Sequence, residues 1–433
     1  MSILPFRRQQ SLFDWRDIEE LGDLRRLQLV LDHVPDEALM LQLESERGRR
    51  GRDDYPVRAM WNSLLAMVVF EHISVASLRR ELSRNAQMRW LCGFTGSRVP
   101  SASSYSRFLV GLQSHIREVE GIFSSLTQMM SEALPDYGEH LAVDGKAISS
   151  HGRDRRPGRD PDGRRDIDAD VGVKSYMGHD GIRRQSSWFG YRVHLISDTT
   201  YELPVAYRVT PASYGETTVA SGMLGELSPV LRDRSEVMVA DRGYDNGNFV
   251  RKLWHEYGIR PVIDIRRTWR DAPEETRVLG NWFNVRYDWR GEVYCYCPRT
   301  GVERPMAYGG FESDRGTRKY RCPAWQYRGI RCAGRDQCEV RSCLRVKMAA
   351  DPRRFGPIPH GTARWVKHYA RRGSVERINS RLDVSFGFER HYIRGLSKMR
   401  LRMGMAMAVM LSMALGRIRE KRLDRMRSLV GVA

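Results

Sequence analysis

Three acidic residues stand at positions typical of a metal-dependent active site: Asp144, Asp241 and Glu376. Asp144 ends the apolar run 141–143, and Asp241 ends a second apolar run, 237–240. Two carboxylates at the ends of buried strands, with a third on a helix, can converge on one point. Hard divalent cations such as Mg²⁺ or Mn²⁺ prefer oxygen ligands of this kind. Because two such ions support phosphoryl transfer, the three residues predict that chemistry.

Each aspartate taken singly has a simpler explanation. Asp144 precedes Gly145, and Asp241 precedes Arg242 and Gly243. An Asp just before a glycine is equally typical of an ordinary turn. Only the presence of both contexts in one chain, together with the glutamate, favours catalysis over two unrelated turns.

The overall charge indicates a polyanionic partner. The 433 residues include 72 Lys and Arg against 53 Asp and Glu, which gives a net charge of +19. Strong basic charge is the electrostatic footprint of nucleic-acid binding, although by itself it also describes a soluble protein with a charged surface. Lys146, Lys174 and Arg107 are the predicted contacts to backbone phosphates.

A further set of polar side chains surrounds the glutamate. Tyr369, Arg372 and Glu376 are spaced by three and four residues, so on one continuous helix they share a face. Such a face places a phosphate-binding guanidinium beside a metal-binding carboxylate. Arg372 is then a phosphate contact, a residue that orients Glu376, or half of a surface ion pair. Tyr369 either contacts nucleic acid or packs the helix.

Six of the seven cysteines fall between Cys295 and Cys343. Their gaps are irregular and give no paired Cys-x2-Cys signature, yet crowded thiols in a cytosolic chain favour metal over disulfides. We expect a zinc site that stabilises a segment with little core of its own. The alternative is a set of reduced, partly buried thiols. The expected ligands are Cys297, Cys322, Cys332 and Cys338.

The sequence predicts a soluble, cytoplasmic protein with no membrane partner. The longest apolar stretch, 403–415, is shorter than the ~20 residues that a helix needs to cross a bilayer. The first residues contain no apolar run of the kind found in a signal peptide.

The elements that must position these residues change type along the chain. Residues 14–115 have helical patterns. Apolar runs between about 140 and 265 are strand-like and enclose one helix over 246–257, which is an α/β pattern. The segment 151–184 is polar and is predicted to be a loop.

The last N-terminal helix is predicted to begin within residues 99–108, where Ser side chains and Arg107 are exposed. Short helices with such a start are typical of a helix-turn-helix that reads DNA. A plain helical bundle that supports the rest of the chain is an equal alternative.

Composition divides the chain into four predicted domains. A helical DNA-binding or support domain comes first, a catalytic core follows, a Cys- and Trp-rich insertion interrupts the core, and helices complete it. The predicted ranges are 1–135, 136–267, 268–360 and 361–433.

Taken together, the motifs resemble bacterial insertion-sequence transposases of the DDE type, whose catalytic core is RNase H-like. The segments Val143-Asp144-Gly145-Lys146 and Asp241-Arg242-Gly243-Tyr244-Asp245 match the first two acidic motifs of that family. Tyr369, Arg372 and Glu376 match the family signature Tyr-x2-Arg-x3-Glu-x6-Lys. Residues 55–112 resemble the family's helical N-terminal domain.

One position departs from the family pattern. Asp383 stands where the signature has Lys. Arg381, two residues earlier, is the candidate to supply the missing charge of the signature. The departure slightly favours a protein that has lost or changed its activity.

The resemblance implies an α/β fold with an RNase H-like mixed sheet and flanking helices, interrupted by the Cys-rich insertion and preceded by an all-helical domain. It implies that Asp144, Asp241 and Glu376 hold two Mg²⁺ or Mn²⁺ ions and cut and join DNA. The expected partners are double-stranded DNA, as the element's terminal inverted repeats and as target, and a second copy of the chain in a homodimer.

Two other classes of function share this fold and site. One is a catalytically inactive or repurposed DNA-binding protein. The other is a metal-dependent nuclease that cuts DNA without strand transfer. The intact acidic triad favours the transposase.

Overall fold

The structure is a computed structural model, and it describes residues 21–47, 55–152, 166–177, 182–267, 269 and 276–428. The Arg-rich part of the predicted loop, residues 153–165, lies outside these ranges. Over these ranges the α-helices are α1 (Leu24–His33), α2 (Glu37–Glu46), α3 (Val57–Val69), α4 (Val75–Arg84), α5 (Ala86–Cys92), α6 (Ala102–Ser114), α7 (Ile116–Ala133), α8 (Glu216–Glu226), α9 (Pro229–Arg234), α10 (Gly247–Tyr257), α11 (Pro323–Gln326), α12 (Ala363–Tyr369), α13 (Gly373–Val384) and α14 (Leu396–Arg419).

The strands include the predicted runs that end at Asp144 and Asp241. In chain order the strands are β1 (His140–Ser149), β2 (Asp170–Met177), β3 (Arg183–Asp198), β4 (Pro204–Pro211), β5 (Val237–Ala240), β6 (Arg260–Ile263), β7 (Arg277–Val278), β8 (Val285–Tyr287), β9 (Val293–Tyr296), β10 (Glu303–Pro305), β11 (Ala307–Glu312), β12 (Thr317–Arg321) and β13 (Cys343–Lys347).

The chain forms two compact units, and both are discontinuous in sequence. The first unit comprises Met1–Tyr137, Gly145–Gly215 and Val375–Ala433; the second comprises Gly138–Asp144 and Glu216–Ser374. The sequence-based domains follow one another along the chain, whereas these units each combine distant segments. Strand β1 contributes residues to both.

The core of the first unit is built around α14. This helix packs against α1, α3, α6 and α7 and against β4. It is long and apolar enough to cross a membrane by length and composition alone, but 94% of its apolar window is buried inside the structure. A helix that is apolar all round and covered by its neighbours is a core helix. Its methionines fill this irregular interior, as Met does in cores.

The N-terminal helices begin where the sequence indicates. Ser74 caps α4 by a capping box with Ser77, and Ser101 caps α6 by accepting the Ser104 N–H. α3 starts after Pro56 and is buried along almost its whole length, as its apolar sequence predicts. The connection between α5 and α6 runs over residues 93–101, which is longer than the three or four residues of a helix-turn-helix. The helical-bundle alternative therefore describes these helices better.

The first unit also contains antiparallel strands. β3 pairs with β2 through its first half and with β4 through its second half. The second half of β1 lies beside β3, where Ser150 N donates to Phe189 O at 2.9 Å. The prediction of a loop over 151–184 is wrong where β2 forms. Gly172 allows β2 to pair with β3 there, because its missing side chain leaves room for the Trp188 ring of the paired strand.

The second unit contains parallel strands. The first half of β1 pairs with β5, and β5 pairs with β6, both in parallel. α10 connects β5 to β6, close to the predicted helix, and Asn246 caps it. Parallel pairing at one side of β1 and antiparallel strands at the other make the fold α/β and mixed. This confirms the predicted fold class.

The insertion after β6 forms two small antiparallel sheets, β7–β10 and β11–β13. They enclose a separate apolar cluster that includes Val285, Val293, Tyr320 and Phe355. The cysteine-rich segment thus has a core of its own, although a small one.

Candidate active site

The two aspartates lie on neighbouring strands. Val143 of β1 is in register with Ala240 of β5, so Asp144 and Asp241 follow paired residues on adjacent parallel strands. Asp241 follows the end of β5, whereas β1 continues to Ser149, so the expectation that Asp144 ends its strand is wrong. Adjacent strands lie about 4.8 Å apart, which brings the two residues close together. Both residues are partly exposed, as a site open to substrate requires.

The turn after Asp241 fixes that carboxylate. Asp241 Oδ1 accepts the Gly243 N–H at 2.7 Å and thereby caps a short 3₁₀ turn, Arg242–Tyr244. A Cβ on Gly243 would lie 2.7 Å from Asp241 Oδ1 and 3.0 Å from Glu216 Oε2. A larger residue at this position would therefore displace these two carboxyl groups. Glu216, in the first turn of α8, is a third carboxyl group at this turn, and no sequence motif indicated it.

Ion pairs within the second unit hold the Asp-Arg-Gly-Tyr-Asp segment in place. Arg242 pairs with Asp264, which also receives His360 Nε2 at 3.0 Å. Burial acts to raise the pKa of Asp264, but the hydrogen bonds from His360 and Arg242 outweigh burial and lower that pKa. Asp264 thus stays charged beside the turn.

Asp245 is bound by Arg353 of the insertion. Arg353 Nε donates to Asp245 Oδ1 at 2.6 Å, and its terminal nitrogen binds the second oxygen. The Asp245 side chain is only 2% exposed. The next residue, Asn246, caps α10. Asp245 connects the Asp-Arg-Gly-Tyr-Asp segment to the insertion, through a bidentate pair of the strong, directional kind.

Tyr369 lies in the second unit and is half-buried. Its ring stacks on Trp365 with centroids 4.4 Å apart, against the apolar side chains of β5 and β6. Burial and then the negative charges of Asp264 and Asp241 raise its pKa. The packing alternative thus accounts for its ring, and its position remains within electrostatic reach of Asp241.

The helix that carries Glu376 is not continuous with the one that carries Tyr369. α12 ends at Tyr369, a 3₁₀ turn covers Ala370–Arg372, and α13 begins at Gly373. A 3₁₀ turn has three residues per turn and shifts the register. The assumption of one continuous α-helix from Tyr369 to Glu376 is therefore wrong. Arg372 is partly buried, and Glu376 is exposed in the first turn of α13.

Within the first unit, α13 is held by ion pairs to Glu202. Arg377 binds Glu202 Oε1 at 2.7 Å, and Arg381 binds Oε2 at 3.2 Å and the Glu202 carbonyl at 2.8 Å. Arg427 adds a third guanidinium at 3.2 Å. Arg381 is consequently engaged here and does not supply the charge that the family signature places on a Lys.

Asp383, which stands where the family signature has Lys, has its ion-pair partner on β1. Lys146 Nζ forms an ion pair with Asp383, and both side chains are largely buried in the first unit. Lys146 follows Asp144 by two residues, and Asp383 follows Glu376 by seven. The positive charge thus comes from the strand, while the helix supplies the negative one.

The other predicted phosphate contacts are exposed. Lys174 lies on β2, in the ribbon that β2 forms with β3. Arg107 lies on α6 and lines a groove of about 690 Å³ together with Ser101, Ser104 and Arg47. Both positions are accessible to a polyanion.

Five of the six clustered cysteines line one cavity of about 20 Å³. Cys343 lies on β13 and does not line it. Over the described ranges, no three His, Cys, Asp or Glu side chains are gathered into a complete metal-ligand set. The cavity-lining cysteines are Cys295, Cys297, Cys322, Cys332 and Cys338.

Comparison with known proteins agrees with this arrangement. Residues 138–412 match the family described as the transposase DDE domain, and residues 7–110 match a second transposase domain (DUF772). The DDE-domain match spans well over half of the chain. The chain belongs to the DDE transposases and is a DNA transposase.

One solved structure in the comparison is the cryo-EM structure of a piggyBac transposase synaptic complex with hairpin DNA. Its sequence is 13% identical, the TM-score is 0.39, and the match covers 95% of this chain and 80% of that chain. No curated protein matches the chain.

Proposed function

We propose that this transposase binds the ends of an insertion sequence and catalyses both strand cleavage and strand transfer, with Asp144, Asp241 and Glu376 as its catalytic carboxylates. The observation that carries the proposal is the register of Val143 with Ala240, which makes the two aspartates neighbours. The third carboxylate is assigned by its match to the family motif on α13.

Divalent cations suit the donor groups at the paired aspartates. Both are hard oxygen ligands, and the Gly243 N–H holds Asp241 in one orientation. Mg²⁺ or Mn²⁺ held by Asp144, Asp241 and Glu376 would supply an activated water or DNA 3′-hydroxyl and stabilise the leaving 3′-oxygen. Negative charges so close repel one another, so the cluster itself favours a bound cation.

The surrounding residues orient this centre and bind DNA. Arg353 and Asp245 fix the turn that carries Asp241, and Glu202 fixes α13 through Arg377 and Arg381. Arg372 is the proposed contact to the scissile phosphate, and Tyr369 is proposed to border the DNA.

Binding of the whole element end needs further positive charge. The net charge of +19 is spread over the chain, and Lys174 and Arg107 are exposed. We assign terminal inverted repeats and target DNA as the ligands, a homodimer as the active assembly, and the bacterial cytoplasm as its location. Lys146 would reach a phosphate only by leaving Asp383.

The triad is tested by conservative substitution. Asp144→Asn, Asp241→Asn and Glu376→Gln should each lower Mg²⁺-dependent cleavage of an element-end duplex by more than about 100-fold, since loss of even an outer-shell residue costs 10–100-fold. DNA binding should persist, because no phosphate-binding cation is removed. Glu389→Gln is the matched control, because the Glu389 carboxylate is exposed and lies five residues after the end of α13, the helix of Glu376.

The same assay separates the alternatives. A product joined to target DNA distinguishes a transposase from a nuclease that only cuts. Near-wild-type cleavage by any of the three variants would falsify the assignment of that residue. Full activity in excess chelator would exclude the metal mechanism.

A further inference from the structure

The insertion brings five thiols together from three separate stretches of chain. Cys295 and Cys297 come from the end of β9, Cys322 follows β12, and Cys332 and Cys338 lie in the loop before β13. Their common cavity of about 20 Å³ is close to the volume that holds one water-sized particle. An ion smaller than water therefore fits between them.

Two backbone turns are shaped around Cys297. Its Sγ accepts the Gly334 N–H at 3.3 Å, and the Cys297 carbonyl accepts the Gly301 N–H at 2.8 Å. Gly301 has a φ of +68°, which favours glycine. A Cβ on Gly334 would lie 2.8 Å from Arg299 N, so only glycine lets the Cys332 loop approach this turn. Both turns place backbone N–H groups next to Cys297.

Further hydrogen bonds reach the Cys297 sulfur from the turn that follows it. The Thr300 hydroxyl and the Thr300 and Arg299 N–H groups donate to Cys297, in addition to the Gly334 N–H. Such donors stabilise a sulfur that carries negative charge, as a metal-bound thiolate does.

Positive charge stands beside the thiols. Arg304 and Arg335 line the same cavity. Arg335 also stacks over Trp325 at 4.2 Å, and Arg304 donates to the Arg331 carbonyl at 3.3 Å, so both guanidinium groups are held in position. A site of four thiolates around a divalent ion carries two negative charges, which these two arginines would balance.

We propose that this cysteine cavity is a structural site for a thiophilic divalent ion, Zn²⁺, with Cys297, Cys322, Cys332 and Cys338 as ligands. Binding replaces the four thiol protons by one ion and releases those protons to solvent, with no change in oxidation state. The thiols must rotate about χ1 toward the cavity, because they do not form a complete ligand set as placed. Cys295 is left out of the ligand set, because pairing with both Val285 and Arg304 fixes it within β9, whereas the four proposed ligands lie outside the strands.

The site stabilises the insertion rather than the reaction. The insertion has only a small apolar cluster, and its Arg353 forms the ion pair with Asp245. A closed tetrahedral thiolate site adds folding free energy to a segment with so small a core. The proposal does not depend on the assignment of the acidic triad, and its test does not use cleavage.

The experiment uses the full chain, purified under reducing conditions without chelator. Metal analysis should give about one zinc per chain, and Co²⁺ exchange should give the intense near-ultraviolet thiolate-to-cobalt band of four sulfur ligands. Cys297→Ser and Cys338→Ser should each lose the zinc. Cys343→Ser and Cys295→Ser are matched controls that should retain it.

Circular dichroism and thermal unfolding of each variant separate loss of zinc from loss of fold. If the ligand variants do not fold, zinc titration of the chelator-treated full chain gives the same information, as a rise in Tm with one equivalent. A zinc-free protein whose Tm does not change on zinc addition overturns the proposal. A disulfide among these cysteines, seen as a loss of 2 Da by intact mass, overturns it too, and zinc loss in Cys295→Ser overturns the ligand assignment.

Discussion

Lys146 of β1 and Asp383 of α13 form an ion pair within the first unit, although 237 residues separate them in sequence. Asp383 stands where the family signature has a Lys, and the positive charge beside it comes from Lys146 of the strand. The pair fixes the second half of β1 to α13.

The first prediction concerns this pair. Lys146→Met or Asp383→Asn should each lower the free energy of unfolding by about 1–2 kcal/mol, between the values for surface and buried pairs, because both side chains are largely but not fully buried. The exchanged variant Lys146→Asp with Asp383→Lys should recover part of the loss. Urea unfolding measures all four proteins, and strictly additive single effects would show that the two groups do not interact.

The second prediction concerns Asp245 and Arg353. Asp245→Asn should cost about 3 kcal/mol, because it leaves a guanidinium without its buried counter-charge. Arg353→Lys keeps the charge but loses the bidentate geometry, so a smaller loss is expected. Asp314→Asn, an exposed residue of the same insertion, should change stability little. Equal unfolding free energies for Asp245→Asn and Asp314→Asn would refute the anchoring role.

The third prediction concerns pH. Burial acts to raise the pKa of Glu202, but Arg377, Arg427 and Arg381 together lower it. A carboxyl group whose pKa is lower in the folded state stabilises the fold above its unfolded pKa of about 4.3, and that contribution disappears as pH falls through the folded pKa. Glu202→Gln should therefore cost about 2 kcal/mol at pH 7 and progressively less between about pH 5 and pH 3. A difference that stays constant over that range would contradict this linkage.

The fourth prediction concerns salt. A chain of +19 should lose about 10³-fold or more in DNA affinity between 50 and 200 mM salt, because each neutralised phosphate releases counterions. Arg107→Ala should weaken binding to all sequences alike and reduce the slope of log affinity against log salt by about 1. Fluorescence anisotropy with end and scrambled duplexes measures both quantities. A loss confined to the end sequence would make Arg107 a base-reading residue instead.

The fifth prediction follows from α14. α14 packs against α1, α3, α6 and α7, and deletion of residues 1–115 removes the first three of these helices. The deletion should therefore expose the apolar surface of α14 and yield aggregated or unfolded protein. Far-ultraviolet circular dichroism and size-exclusion chromatography test this. A monodisperse, folded deletion would mean that the N-terminal helices form an independent domain, as the sequence alone predicted.

The local sequence was sufficient to predict the elements that carry the paired aspartates. The apolar runs before Asp144 and Asp241 predict buried strands, Ser74 predicts a helix start, and Asn246 precedes a helix that the sequence also indicates. Such features depend on side-chain periodicity and on hydrogen bonds between residues a few positions apart. The combination of acidic motifs was enough to indicate the transposase family, which the domain matches confirm.

Only the tertiary structure decided which distant charges meet. The pairs Lys146–Asp383 and Asp245–Arg353 join residues separated by 237 and 108 positions, and no local pattern specifies them. The same holds for α14, whose burial depends on the helices that pack around it. The 3₁₀ turn between Tyr369 and Glu376 interrupts the single α-helix that spacing alone implied. Periodicity reports what one segment prefers, whereas burial and ion pairing depend on which segments pack together.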